Sequence, residues 1–189
     1  MSYQLKSERL AYEYMLQRFK ENGNSEMVRK LAAAPVTMTG GAPDAYLALR
    51  DEAMHPLGIC TTHDMKSVVT GLWIPSLQFR EYTLGEKVKL WRGKSSSGVS
   101  ILWGEMQAID LSKQVPALDL PVYFLHGVYD YTVSYTEAKS YFERLDAPLK
   151  GFYTFEQSAH SPIFEEPDKV SKILREDVLA GTNNLADAK

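Results

Sequence analysis

The stretch PVYFLHGVYD, residues 121–130, decides how this chain folds. Its apolar run, Val122 to Leu125, carries no charge and is bounded by a proline before it and a His-Gly pair after it. A short apolar run with such boundaries is typical of a strand that is buried on both faces of a parallel sheet. We therefore predict a strand over 122–125, with Asp130 just beyond its carboxyl end.

A helix, a second strand and a final helix follow this first strand. Ser134 and Glu137 have the spacing of a capping box, which predicts a helix start. This helix has an apolar stripe that we expect to be buried: Tyr135, Ala138, Tyr141, Phe142 and Leu145. The next apolar run, Lys150 to Phe155, predicts a second strand. The last helix opens at 165–167 and is expected to turn three side chains inward: Val170, Ile173 and Leu174. This βαβα order favours parallel strands joined by a right-handed crossover.

In the preceding residues, the spacing of apolar side chains is typical of helices. Apolar spacing predicts a first helix with one buried face: Leu5, Tyr12, Leu16 and Phe19. Further helices are predicted over 25–33, from Pro43 to about Ala53, and near 62–70, 83–92 and 98–108. We therefore divide the chain into a helical region, 1–115, and a βαβα region, 116–189. Because two strands alone do not make a stable sheet, we expect the second region to be the last part of a larger one.

The composition excludes several classes of protein. The 189 residues are 44% hydrophobic and 24% charged with a net charge of −3, so we expect neither a nucleic-acid nor a membrane partner. No apolar run is long enough to cross a membrane, and the N-terminus lacks the apolar core of a signal peptide. Cys60 is the single cysteine, which excludes an intrachain disulfide and fits a reducing compartment. We predict a cytoplasmic protein.

Two polar residues follow the predicted strands. Asp130 comes after the first strand and His160 after the second. Because the carboxyl ends of parallel strands meet at one edge of a sheet, we expect these loops to lie side by side. An aspartate that accepts a hydrogen bond from one imidazole nitrogen fixes the tautomer, so the other nitrogen can take a proton from a nucleophile. The alternative is that Asp130 only caps the following helix and that His160 is an ordinary turn histidine.

From Leu120 to Pro167 the chain resembles the C-terminal part of an α/β-hydrolase, close to the proline-iminopeptidase-like branch. The resemblance rests on PVYFLHGVYD, on TEAKSYFERL in the helix, and on FYTFEQSAHSPIFEEP after it. It implies an α/β class and a partial α/β-hydrolase fold, in which residues 1–115 form the helical cap. It also implies that Asp130 is the catalytic acid and His160 the catalytic base. Val133 stands where many relatives have proline, a difference that we expect to affect loop stiffness more than chemistry.

The nucleophile that this resemblance requires is absent from the sequence. No G-x-S-x-G elbow occurs, and the nearest stretch, Lys94-Ser95-Ser96-Ser97-Gly98, lacks the leading glycine, so we interpret it as a structural loop. Cys60 has no strand–turn–helix context and is interpreted as a buried or incidental cysteine. Ser158 and Ser161 flank His160 in a loop. We therefore predict that the chain cannot form an acyl-enzyme alone.

Metal and cofactor chemistry is not indicated. His55, His63 and Asp64 are close in sequence, and His126 precedes Asp130, but their spacings match no zinc pattern. We expect neither a metal nor another cofactor.

Two hypotheses from different classes remain open. In the first, the chain is a truncated hydrolase that carries the cap, the acid and the base for cleavage of a small-molecule ester or amide, but lacks the nucleophile. In the second, it is a non-catalytic binding or assembly module built from the cap. The uncharged strand 122–125 would expose an edge in either case. This edge predicts a homodimer, which we favour, or cap helices that cover the edge, or an N-terminal partner segment that supplies the nucleophile.

Overall fold

The computed structural model describes residues 3–37, 39, 42–97 and 109–187. Helices dominate the first part: α1 (Tyr3–Glu21), α2 (Ser25–Ala32), α3 (Asp44–Met54) with a 3₁₀ turn after it (His55–Leu57), a π-helical turn (Val69–Trp73), α4 (Ile74–Gln78) and α5 (Leu84–Ser97). Strands and helices alternate in the second part: α6 (Leu111–Gln114), β1 (Val122–Gly127), α7 (Tyr135–Arg144), β2 (Lys150–Phe155), α8 (Pro162–Glu165), α9 (Pro167–Ile173) and a π-helical turn (Leu174–Val178). The chain therefore mixes helix and sheet, as an α/β class requires.

The two strands pair in parallel, as predicted. Val122 lies opposite Lys150, and the register runs on to Gly127 opposite Phe155. On one face α7 covers the sheet, with the Phe142 ring 5.6 Å from that of Phe124 and 5.3 Å from that of Phe152. On the other face a cluster forms between the strands and α9: Tyr123, Leu125, Tyr153, Phe155, Val170 and Ile173. The predicted strand–helix–strand unit is confirmed.

One edge of β1 has no strand beside it in the described ranges. The N–H groups of Val122 and Val128 donate to the carbonyls of Leu149 and Phe155, so the even positions face β2 and the odd positions face the other edge. Residues 122–125 are only partly buried. Side chains pack on both faces of β1, but the strand is only partly buried, because no further described strand lies along its other edge.

The helical part has its own core. Residues of α1, α2 and α3 form it together: Tyr12, Met15, Phe19, Met27, Leu31, Tyr46 and Met54. The predicted inner face of α1 is confirmed, with Leu5 and Leu16 partly buried against this core. α1 ends where Gly23 adopts a left-handed φ of 69°, and the Asn24 side chain then caps α2 by accepting a hydrogen bond from the Met27 N–H at 3.0 Å.

Some helix predictions were wrong at their boundaries. Residues 61–64 bend instead of starting a helix, and the π-helical turn begins only at Val69. These residues are held in a turn by long-range contacts of His63, described below. The predicted loop at 95–97 is helical, because α5 continues through Ser97. Gly98 and the helix predicted near 98–108 lie outside the described residues.

Other predictions about α7 and the C-terminal helices hold only in part. Ser134 Oγ accepts a hydrogen bond from the Glu137 N–H at 3.4 Å, but the Ser134 N–H donates to Ser7 Oγ, so only half of the capping box forms. Leu145 alone of the α7 stripe is fully buried, because the helix covers a sheet with only two described strands. Leu174 is 42% exposed, since a π-helical turn begins there and changes the rotation between side chains.

None of the helices in the described ranges is both long and apolar enough to cross a membrane. The cytoplasmic location stays a prediction from the sequence.

Candidate active site

The loops after β1 and β2 bring Asp130 and His160 together. Nδ1 of His160 lies 2.9 Å from Oδ2 of Asp130, a hydrogen-bonding distance. The strand register explains this approach, because Gly127 and Phe155 lie opposite each other where the two loops begin. The predicted contact between these side chains is confirmed.

Gly127 allows the two loops to touch. A Cβ atom at this position would lie 2.2 Å from the carbonyl oxygens of both Ser158 and Ala159. Real Cβ atoms do not approach backbone oxygen so closely, so only glycine fits without moving one loop. The close approach of Asp130 and His160 therefore depends on glycine at the end of β1.

The two carboxylate oxygens of Asp130 have different partners. Oδ1 accepts hydrogen bonds from the N–H groups of Thr132 and Val133, at 2.9 and 3.0 Å. Oδ2 faces His160. The residue is almost fully buried, so its charge is compensated by these donors rather than by water. Oδ1 therefore holds the turn before α7, whereas Ser134 rather than Asp130 caps that helix, so the capping interpretation was wrong in its residue. The catalytic role of Asp130 stays a prediction.

His160 has one ring nitrogen engaged and one available. Because Nδ1 faces a carboxylate, it carries the proton of the neutral ring, which leaves the lone pair on Nε2. No residue in the described ranges makes a hydrogen bond to Nε2, and 43% of the side chain is exposed. The hydrogen bond that Nδ1 donates to Asp130 raises the pKa of His160, although burial acts in the opposite direction. The ring can therefore accept a proton at Nε2 and hold it.

His126 is a second histidine beside the acid. Its Nε2 lies 3.0 Å from the Val133 carbonyl oxygen and 3.5 Å from Asp130 Oδ2. A carbonyl oxygen only accepts, so Nε2 carries a proton, and burial lowers the pKa of this ring. His126 is therefore a neutral donor that supports the acid turn. The sequence reasoning considered it only as a metal ligand.

Two of the residues considered as nucleophiles, Ser158 and Cys60, are not placed for that role. The Ser158 hydroxyl is buried and donates to Glu166 Oε2 at 2.6 Å. Cys60 is buried, as predicted, and burial together with the charge of Asp51 raises the pKa of its thiol. It is the carbonyl of Cys60 that contacts the site, by accepting the His160 N–H at 3.1 Å.

The histidines considered as metal ligands are dispersed. His63 stacks on the ring of Tyr129, with 3.8 Å between centroids, and His55 is buried at the end of α3. Within the described residues, no group of three histidine, cysteine, aspartate or glutamate side chains is arranged to hold a metal ion.

Replacing Asp130 by asparagine is expected to lower the pKa of His160 towards that of a free imidazole, because the hydrogen bond to the carboxylate is what raises it. Since the raised pKa belongs to the folded state, this pair stabilises the fold most below the unfolded pKa of about 6.5. That contribution is lost as the pH rises through the folded pKa. An NMR titration of the four histidine rings measures the change, and an unshifted His160 in the variant would contradict it.

Two curated proteins are similar to part of the chain. The chain is 34% identical over 73 residues to "Probable aminopeptidase YbaC" of Bacillus subtilis (strain 168), which covers 39% of the chain and 23% of that protein. It is 32% identical over 59 residues to "Putative esterase/lipase 1" of Mycoplasma genitalium, which covers 31% of the chain and 22% of that protein. No family model and no solved structure matches the chain. The matches span less than a quarter of either relative, and they support a relationship to hydrolases.

Proposed function

We propose that residues 1–189 supply the acid and the base of a serine hydrolase with an α/β-hydrolase fold of the proline-iminopeptidase-like branch. The observation that carries this proposal is the 2.9 Å contact between His160 and Asp130 at the carboxyl ends of two parallel strands. The names of the two relatives, an aminopeptidase and an esterase/lipase, are compatible with acyl transfer. The substrate class is therefore a small ester or peptide-like amide.

The chemistry follows from the geometry of His160. Nε2 takes the proton of a serine hydroxyl as its oxygen attacks the substrate carbonyl, which forms a C–O bond. Asp130 stabilises the resulting imidazolium and keeps the ring oriented. The imidazolium then gives this proton to the leaving alcohol or amine as the scissile bond breaks. Water repeats the cycle on the acyl-enzyme, and His160 ends in its starting state.

The nucleophile in this proposal comes from a polypeptide segment outside residues 1–189. The edge of β1 supports this part of the proposal, because its odd-numbered backbone groups have no strand beside them in the described chain. A cavity of about 460 Å³ lies next to that strand, with Phe124, Val133, Ala138 and Tyr141 in its lining. A parallel strand added here would end beside the site and could deliver a nucleophile to His160. Residues 1–115 would then be the cap and residues 116–189 the end of the core.

We expect the isolated chain to take no label from a fluorophosphonate probe. The reason is that neither described strand is followed by a nucleophile elbow, since one leads into the acid turn and the other into the histidine loop. Gel fluorescence with a known serine hydrolase as positive control measures this. Stoichiometric labelling that disappears when one serine of this chain is replaced would contradict the prediction.

Co-expression tests the whole proposal. Residues 1–189 are produced together with the polypeptide encoded immediately upstream, and hydrolysis of p-nitrophenyl acetate and of alanine p-nitroanilide is measured. Activity that requires both polypeptides, together with a G-x-S-x-G stretch in the upstream one, supports the proposal. An upstream sequence without such a stretch, or no activity from the pair, rejects it.

A non-catalytic binding or assembly role is the second candidate. The observation that favours it is a run of exposed apolar side chains within residues 69–90: Val69, Leu72, Trp73, Ile74, Leu77, Phe79, Tyr82, Leu84, Val88 and Leu90. Apolar surface of this extent is usual at protein interfaces. Light scattering after size-exclusion chromatography tests it. A homodimer that separates when Leu84 and Val88 are replaced by aspartate supports this role, and a monomer at high concentration counts against self-association.

A further inference from the structure

We propose that the turn formed by residues 58–63, called here the 58–63 turn, is the positioning element that holds the acid loop and the histidine loop against each other. This inference rests on the proposed function, because it assigns a role to the 58–63 turn in the site of Asp130 and His160. No sequence pattern pointed to it. It is carried by backbone and ring contacts between the helical region and both loops.

The 58–63 turn is compact because of Gly58. This residue has a φ of +68°, in the left-handed region, and a Cβ atom on it would lie 2.6 Å from the His63 carbonyl oxygen. His63 Nδ1 closes the turn by donating to the Gly58 carbonyl oxygen at 2.8 Å. Between them, Ile59 and Cys60 are buried in the core of the helical part. The turn is therefore fixed at its base, and the carbonyl groups of Ile59 and Cys60 are left to accept hydrogen bonds from the two loops.

The acid loop is held on both sides of Asp130. The Ile59 carbonyl oxygen accepts the Tyr131 N–H at 3.3 Å. On the other side, the His63 ring stacks on the Tyr129 ring, with centroids 3.8 Å apart and an angle of 21° between planes. The residues before and after Asp130 therefore both contact the 58–63 turn.

The histidine loop is held by the same turn. The Cys60 carbonyl oxygen accepts the backbone N–H of His160 at 3.1 Å. The His63 N–H donates to Glu165 Oε1, and the other oxygen of that carboxylate accepts the Ala159 N–H at 2.9 Å. Neighbouring residues of one turn thus contact the two loops that carry the acid and the base.

The sheet alone does not fix these side chains. It sets the base of the loops, where the Val128 and Tyr129 N–H groups donate to the carbonyls of Phe155 and Ser158. Asp130 and His160 lie beyond these bonds, and their hydrogen bond tolerates shifts of only a few tenths of an ångström. The 58–63 turn supplies the next set of contacts. The relative position of acid and base therefore depends on the helical region as well as on the strands.

A matched pair of variants tests this role in the full chain. His63→Ala removes the ring that stacks on Tyr129, and His63→Phe keeps a flat ring while removing the same titratable group. NMR titration then measures the pKa of His160, on which Asp130 and Arg50 act in every variant. The ring of His126 lies beside the same carboxylate and interacts with His160 in every variant as well. We expect His63→Ala to lower this pKa towards its value in Asp130→Asn, and His63→Phe to keep it close to that of the unchanged chain. Far-UV circular dichroism checks that each variant is folded.

A second variant keeps the test decisive if His63→Ala does not fold. Glu165→Ala removes the acceptor shared by His63 and Ala159, and Glu165→Gln retains an acceptor oxygen. We expect the alanine variant to lower the pKa of His160. The glutamine variant keeps one acceptor but turns an NH2 group towards the other N–H, so we expect it to restore only part of the pKa. A folded alanine variant at either position with an unchanged His160 pKa overturns the inference. Failure of the co-expression assay does not affect this readout, so the two proposals fail separately.

Discussion

Replacing His160 by alanine is expected to lower kcat/KM of the proposed hydrolase, produced by co-expression, by roughly 10⁴- to 10⁶-fold, the range found when the base of a catalytic triad is removed. The ring is the group placed to move the proton, and no other described residue hydrogen-bonds Asp130 while leaving a ring nitrogen exposed to a substrate. His126 is also close to the acid, but its proton is directed at the Val133 carbonyl and its ring is buried. It is not expected to replace His160.

Gln157→Ala is the control for this variant, because Gln157 lies in the same loop and its side chain is exposed. We expect its kcat/KM to stay within about twofold of that of the unchanged enzyme, since exposed positions away from special contacts have small effects. Initial rates at several ester concentrations give kcat and KM separately. If His160→Ala lowers kcat/KM by less than tenfold, another group acts as the base and the assigned role is wrong.

Gly127→Ala is expected to lower the free energy of unfolding by about 1–3 kcal/mol, the usual cost of forcing an extra group into a packed site. The added methyl group would meet the carbonyl oxygens of Ser158 and Ala159, which are backbone atoms and cannot rotate away. One loop must then move. We therefore expect this variant also to lose the contact between Asp130 and His160, seen as a fall in the pKa of His160. Urea unfolding followed by circular dichroism measures the stability.

Gly93→Ala is the matched control for this change. Gly93 lies inside α5, and a Cβ atom there would meet nothing within 4 Å. Alanine in a helix interior is favoured over glycine by roughly 0.5–1 kcal/mol, so we expect unchanged or slightly higher stability. Equal unfolding free energies for Gly93→Ala and Gly127→Ala would show that the loops after β1 and β2 are not in close contact.

The sequence predicted the βαβα unit and its polar contact because both follow from short-range patterns. Apolar runs mark Val122 to Leu125 and Lys150 to Phe155 as strands, and parallel pairing then brings the residues after them together. Asp130 and His160 are thus neighbours for a topological reason. Their catalytic role stays a proposal, because a hydrogen bond alone does not define a reaction.

Contacts that depend on distant backbone atoms could not be predicted in this way. The carbonyls of Ile59 and Cys60 hold the site. Because every residue has a carbonyl, the sequence does not show which of them accept these hydrogen bonds. The Ser134 N–H pairs with Ser7, far away in the chain, so the local capping pattern was only half realised. The start of the helix predicted near 62–70 was wrong for the same reason. Local spacing does not show that the His63 N–H donates to Glu165.

The two carboxylate oxygens of Asp130 have separate roles, one in the fold and one in the proposed chemistry. Oδ1 alone holds the turn through Thr132 and Val133, and an asparagine oxygen can do the same. Only Oδ2 must carry charge for His160. During evolution, one codon change at this position can therefore abolish the proposed reaction and leave the loop intact. Related proteins that keep this loop but carry asparagine at this position would have lost the proposed activity. They would use the same surface for another purpose.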